Sequence, residues 1–78
     1  MMDVAVDLEL DLKGMRCPLP LLKAKQAMSQ LGSGQMLKVQ ATDPGSVRDF
    51  ASYARIAGHE LVVSDEVSGA FIFVLKHK

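Results

Sequence analysis

From Val6 the chain alternates strictly: Val6, Leu8, Leu10 and Leu12 are apolar, while Asp7, Glu9, Asp11 and Lys13 are polar. Period two predicts a half-buried strand with one wet face. Three acids and a lysine on that face suit an edge strand, where charge discourages pairing with a second chain. Gly14 breaks the pattern. After the connection Met15-Arg16-Cys17 come Pro18-Leu19-Pro20 and a helical stretch from Leu21 to Leu31. Leu21, Ala24, Met28 and Leu31 recur at helical spacing, and Lys23, Lys25, Gln26, Ser29 and Gln30 supply a polar face. Gly32 and Gly34 are expected to close this helix with a left-handed cap.

Leu37, Val39 and Ala41 alternate with Lys38, Gln40 and Thr42, which predicts a second half-buried strand. Asp43-Pro44 then opens a second helix, with the Asp43 carboxylate as N-cap and Pro44 at the first helical position. Val47, Phe50, Ala51 and Ala54 form its expected buried stripe, and Gly58 ends it. Leu61 to Val63 read as a third strand, and Asp65 to Gly69 as a turn. Ala70 to Leu75 is apolar at every position, as in a strand that is central or buried on both faces. The order is βαβαββ. It predicts an α/β (α+β) two-layer sandwich, a mixed four-stranded sheet with two helices on one face. Residues 1–78 form one domain in this reading, with 1–5 as a short leader.

Composition narrows the function. The 78 residues suffice for one small core, and a hydrophobic content of 49% argues against disorder. Nine basic and nine acidic residues balance. Without a basic excess, no strong direct nucleic-acid binding is expected. No apolar run approaches membrane-spanning length, and Met1-Met2-Asp3 lacks the basic region of a signal peptide. Cys17 is the one cysteine, and an unpaired thiol fits a reducing compartment, so the cytoplasm is expected. His59, His77 and Cys17 show no ligand spacing, so no metal site is expected and the histidines read as solvated.

The chemistry centres on Cys17. With Cys17 at an N-cap, Pro18 and Pro20 fall at the first and third helical positions and start the helix rigidly. The helix dipole and free N–H groups there favour an anion, and the thiolate is the nucleophilic form of cysteine. Arg16 adds positive charge, whereas the prolines remove two donors. On position and charge alone two readings stand: a reactive thiol, or a small buried cysteine that closes a turn.

Gly14, Arg16, Cys17, Pro18, Leu19 and Pro20 spell Gly-x-Arg followed by Cys-Pro-x-Pro. Asp43-Pro44 with Arg48-Asp49 follows the second strand. On these motifs, its length and its element order, the chain resembles the TusA/SirA-like sulfurtransferase family from about Leu8 to Leu75. The resemblance implies a small cytoplasmic sulfur carrier with Cys17 as the nucleophile. Its sulfur would come from a cysteine desulfurase or a rhodanese-like donor and pass to an acceptor, often a DsrE-like protein. The outcomes implied are tRNA thiolation, molybdenum-cofactor sulfur supply or sulfur oxidation. The intermediate is a cysteine persulfide, and no other cofactor is implied. Gly14, Arg16, Pro18 and Pro20 would position the thiol, and Asp43 and Arg48 would lie near it and help docking. Lys23, with Lys25 and Arg16, is a candidate basic patch beside it. Leu19 is a departure, because tRNA-thiolation members tend to carry an acid between the prolines; here it offers an apolar docking contact.

No second cysteine can resolve a disulfide within the chain, so an acceptor thiol must come from another molecule. That favours a carrier over a dithiol oxidoreductase. No general base is apparent in the sequence. Two other functions remain open: a regulatory module that binds RNA or protein, and a redox-sensing thiol.

Overall fold

The computed structural model describes residues 6–78, so the expected leader at 1–5 lies outside the described residues. The elements are β1 (Leu8–Leu12), α1 (Leu19–Met28), β2 (Met36–Ala41), α2 (Gly45–Ala57), β3 (Glu60–Val67) and β4 (Ala70–Lys76). They form one sheet in the order β1-β2-β4-β3. β1 pairs with β2 in parallel, and β4 is antiparallel to both β2 and β3. The expected α+β architecture is the one observed.

Each strand occupies the place its pattern suits. β1 is an edge, and its wet face carries Glu9, which meets Lys38 of β2 at 3.4 Å. Glu9 is exposed and Lys38 partly so, and the pair adds at most about 1 kcal/mol. β2 buries Leu37, Val39 and Ala41 toward the helices. The continuous apolar run is β4, which is central. Phe73 and Leu75 join the core under the helices, while Val74 lies in register between Lys38 and Val63 on the other face. Ala24, Ala27 and Met28 of α1 and Phe50 and Ala54 of α2 complete the same core.

Four local expectations are corrected. First, α1 stops at Met28 and not near Gly32. The Ser29 hydroxyl donates to the Gln26 carbonyl at 2.6 Å and closes the last turn. Gly34, at φ +83°, instead serves the turn into β2. Leu21 and Leu31 are only half-buried, and Pro20, Ala24, Ala27 and Met28 are buried. Second, the buried stripe of α2 runs through Ser46, Phe50 and Ala54, while Val47 and Ala51 are exposed. A helix turns about 100° per residue, so a stripe shifted by one position faces away. Third, Asp43 is not an N-cap. Pro44 holds that position, and no side chain caps α2. Fourth, β3 extends through Asp65 and Glu66, and the turn shrinks to Ser68-Gly69. Both turn residues have positive φ, 52° and 83°. That geometry matches the right-handed twist of a tight hairpin and needs glycine or a small polar residue. Gly58 ends α2 at φ +82°, as expected.

Candidate functional site

β1 and β2 run parallel, with Leu12 beside Ala41. The loops that follow them therefore leave the sheet at the same end. The Gly14 N–H donates to the Thr42 hydroxyl at 2.9 Å and ties the two loops together. Gly14 itself sits at φ +87°, a conformation that side chains rarely adopt. One loop carries Cys17 and the other leads into α2, so residues far apart in sequence meet.

Cys17 precedes the helix by one more residue than expected. Pro18 is the N-cap of α1, Leu19 the first helical residue and Pro20 the second. The Leu19 N–H donates to the Arg16 carbonyl at 2.9 Å, and the Leu22 N–H to the Pro18 carbonyl at 3.0 Å. Pro20 is buried and anchors this turn, while Arg16, Cys17, Pro18 and Leu19 are exposed. The reading of Cys17 as a buried turn residue is therefore excluded.

The thiol's partner is Asp49, a motif residue whose sequence position alone did not place it at the sulfur. Cys17 Sγ donates to Asp49 Oδ2 at 2.6 Å. Asp49 lies in the second turn of α2. Asp43 is close as well: a Cβ added to Gly45 would stand 3.0 Å from Asp43 Oδ2 and 3.8 Å from Cys17 Cβ. Asp43 Oδ2 is buried and has no hydrogen-bond partner. The hydrogen bond to Asp49 pushes the Cys17 thiol above its ordinary pKa. Partial desolvation and the charges of Asp49 and Asp43 add to the rise, and Arg48 opposes it. The field at this thiol thus favours the neutral form, the reverse of what a helix N-terminus alone suggests. Asp49 accepts the thiol's hydrogen bond, a contact not apparent in the sequence.

Of the expected site residues, Cys17, Asp43 and Arg48 are brought together. Lys23 is exposed on α1 and takes no part in the two salt bridges, Lys13–Asp11 and Lys38–Glu9. Asp49 and Gly45 were the missed members. The signal for Asp49 was available in the Arg48-Asp49 pair, but its role depends on the parallel pairing of β1 and β2. Beside the site, Leu21, Lys25, Asp49, Ser52, Tyr53 and Ile56 line a shallow cleft between the helices. Among the described residues, no group of three or more His, Cys, Asp or Glu side chains is placed to hold a metal ion.

The two histidines are not separate solvated residues. Their rings lie 4.6 Å apart, and Tyr53 packs on His59 at 5.5 Å. The Lys78 N–H donates to His59 Nδ1 at 3.2 Å. Burial, His77 and Lys78 lower the pKa of His59. The fold therefore binds fewer protons than the unfolded chain near the ordinary histidine value. Its contribution to stability is present above that value and is lost as pH falls through the lowered one. Melting curves at pH 7.5 and 5 are expected to show a smaller acid-induced fall in Tm for His59→Gln than for the natural chain. Equal falls would contradict this.

A small βαβαββ domain that presents one exposed thiol beside a carboxylate defines a class of single-cysteine proteins. The family model described as Sulfurtransferase TusA matches residues 8–77. The chain is 51% identical over 70 residues to the "Sulfur carrier protein TusA" of Allochromatium vinosum, covering 90% of this chain and 92% of that one. It is 37% identical over 78 residues to the Pseudomonas putida protein of the same name, covering 100% and 98%. A SirA-like protein from Desulfitobacterium hafniense shares the fold, with a TM-score of 0.79 at 23% identity over 88% of this chain and 95% of that one. The chain belongs to the TusA family.

Proposed function

We propose that the protein is a sulfur carrier that holds one sulfur atom as a persulfide on Cys17. The observation that carries this reading is the exposed sulfur of the chain's one cysteine, set on a turn that a buried proline anchors. The name of the Allochromatium vinosum relative supports it. In loading, the Cys17 sulfur attacks the outer sulfur of a donor persulfide. A new S–S bond forms, the donor's S–S bond breaks, and the donor leaves as a thiol. In unloading, an acceptor thiol attacks the outer sulfur now on Cys17, and Cys17 leaves as a thiol. Both steps are thiol–disulfide-type exchanges, with no net oxidation and no need for a resident cofactor.

This makes the protein one participant in a sulfurtransferase reaction shared with two others. A cysteine desulfurase or a rhodanese-like protein is the donor, and a DsrE-like or other thiol protein is the acceptor. Docking falls to the surface around Cys17. Leu19 is 49% exposed, Leu22 of α1 and Val47 of α2 are also exposed apolar side chains, and Arg48 supplies positive charge. An unpaired thiol and a labile persulfide need a reducing compartment, so the cytoplasm is the proposed location. No helix among the described residues is long and apolar enough to cross a membrane.

The test is incubation with a cysteine desulfurase, pyridoxal phosphate and cysteine, followed by intact-mass measurement. One added sulfur atom, removed by a reductant, is expected. It should then pass to an acceptor thiol protein. Absence of any adduct with both desulfurase and rhodanese-type donors would overturn the proposal.

A further inference from the structure

We infer that Asp49 is a positioning residue that holds Cys17 as a thiol, so that its sulfur becomes a nucleophile only when a docking partner engages the Asp49 carboxylate. This rests on the carrier reading of Cys17 and adds a gate to it. The contact is specific. Asp49 Oδ2 accepts the S–H at 2.6 Å across 32 residues of sequence. Asp49 is half-buried, so its carboxylate is held at the sulfur and yet remains reachable from outside.

The surroundings reinforce the gate. The charged groups that act on the thiol are Asp49, Asp43 and Arg48, two anions against one cation. Asp43 Oδ2 is buried without a hydrogen-bond partner, and the Asp43 charge adds to the effect of Asp49 on the thiol. Gly45 keeps the space between Asp43 and Cys17 clear of a side chain. A carboxylate is a far weaker base than a thiolate, so the shared proton rests on sulfur. An exposed sulfur in this state is protected from stray electrophiles while it is unescorted.

A partner changes the balance if it brings a cationic side chain or N–H donors to Asp49. The carboxylate then turns from the thiol, which removes the largest influence that holds the proton on sulfur and leaves Asp43 and Arg48 as the opposing charges around it. In loading, the proton leaves Cys17 Sγ as the sulfur's electron pair forms the bond to the donor's outer sulfur. The donor's S–S bond breaks, its electron pair stays on the donor sulfur, and that sulfur takes up a proton. With Asp49 held by the partner, the proton released from Sγ passes through solvent, so that one proton leaves Cys17 and one is taken up by the departing donor sulfur. The persulfide's outer sulfur then stands about 2 Å from Sγ.

The gate predicts a measurable property of the protein alone. Iodoacetamide alkylation of Cys17, followed by intact mass across pH 6 to 10.5, gives the rate and its pH midpoint. The natural chain is expected to have a midpoint above that of the same chain unfolded in urea. Asp49→Asn keeps the shape and removes the charge. It should lower the midpoint and raise the rate at pH 7.5 by about threefold or more. Asp49→Glu, which restores a carboxylate, should bring the midpoint back toward the natural one. Far-UV circular dichroism confirms that each variant is folded. A natural midpoint at or below the unfolded one, or an Asp49→Asn midpoint that does not fall, would overturn the gate. The carrier reading is judged separately, by sulfur loading. A chain that loads sulfur but shows no midpoint difference keeps the carrier and loses the gate.

Discussion

Phe50→Ala is expected to remove a large part of the protein's stability. Phe50 is fully buried, and its ring stacks on that of Phe73, with centroids 4.6 Å apart and planes 11° from parallel. That stack joins α2 to the central strand. Truncating a buried phenylalanine costs about 3–5 kcal/mol through lost burial and a residual cavity. A domain of 78 residues has only about 4–12 kcal/mol of stability in all. The urea midpoint should fall by about 2 M or more, with an unchanged slope if unfolding stays two-state. Val47→Ala, on the same helix but exposed, should change stability by about 0.5 kcal/mol or less. A loss below about 1 kcal/mol for Phe50→Ala would show that the ring stack does not anchor α2 to the sheet.

Cys17→Ser should have the opposite profile, with the fold intact and sulfur transfer gone. Cys17 is exposed, and its hydrogen bond to Asp49 can be made by a hydroxyl. Thermal melting should therefore be nearly unchanged. Serine cannot form an S–S bond, and no other cysteine in the chain can substitute. The variant should show no added sulfur after exposure to a desulfurase and cysteine, and no transfer to an acceptor thiol. A variant that melts far below the natural chain would instead indicate a structural role for the sulfur.

Much of the architecture was legible in the sequence because period-two alternation is unambiguous in β1 and β2. The six-residue apolar run marked β4 as central for the same reason: only a central strand can hide both faces. The α2 stripe was misread because Ser46 and Val47 exchange their usual places. The serine is small enough to sit under the sheet-facing turn, and the valine is left outside. Asp43 resembled a cap because Asp-Pro usually starts a helix, but here its backbone carbonyl accepts from the Ser46 N–H at 3.0 Å. At the site, the prolines revealed that Cys17 was held in place. They did not reveal what it touched. The Asp49 contact depends on tertiary geometry, and it reversed the expected sense of the local field.

The register of the sheet also gives the molecule two poles. Leu12 and Ala41 finish beside the thiol loop, whereas Met36 pairs with Lys76 at the far end, next to His77. A strand of six residues separates these ends by about 17 Å. That exceeds the screening length of physiological salt, about 8 Å. A charge on His59 at one end is therefore screened from the thiol at the other. A surface chemist could tether the protein through Lys78 and leave the sulfur facing the solution, ready for whichever protein arrives.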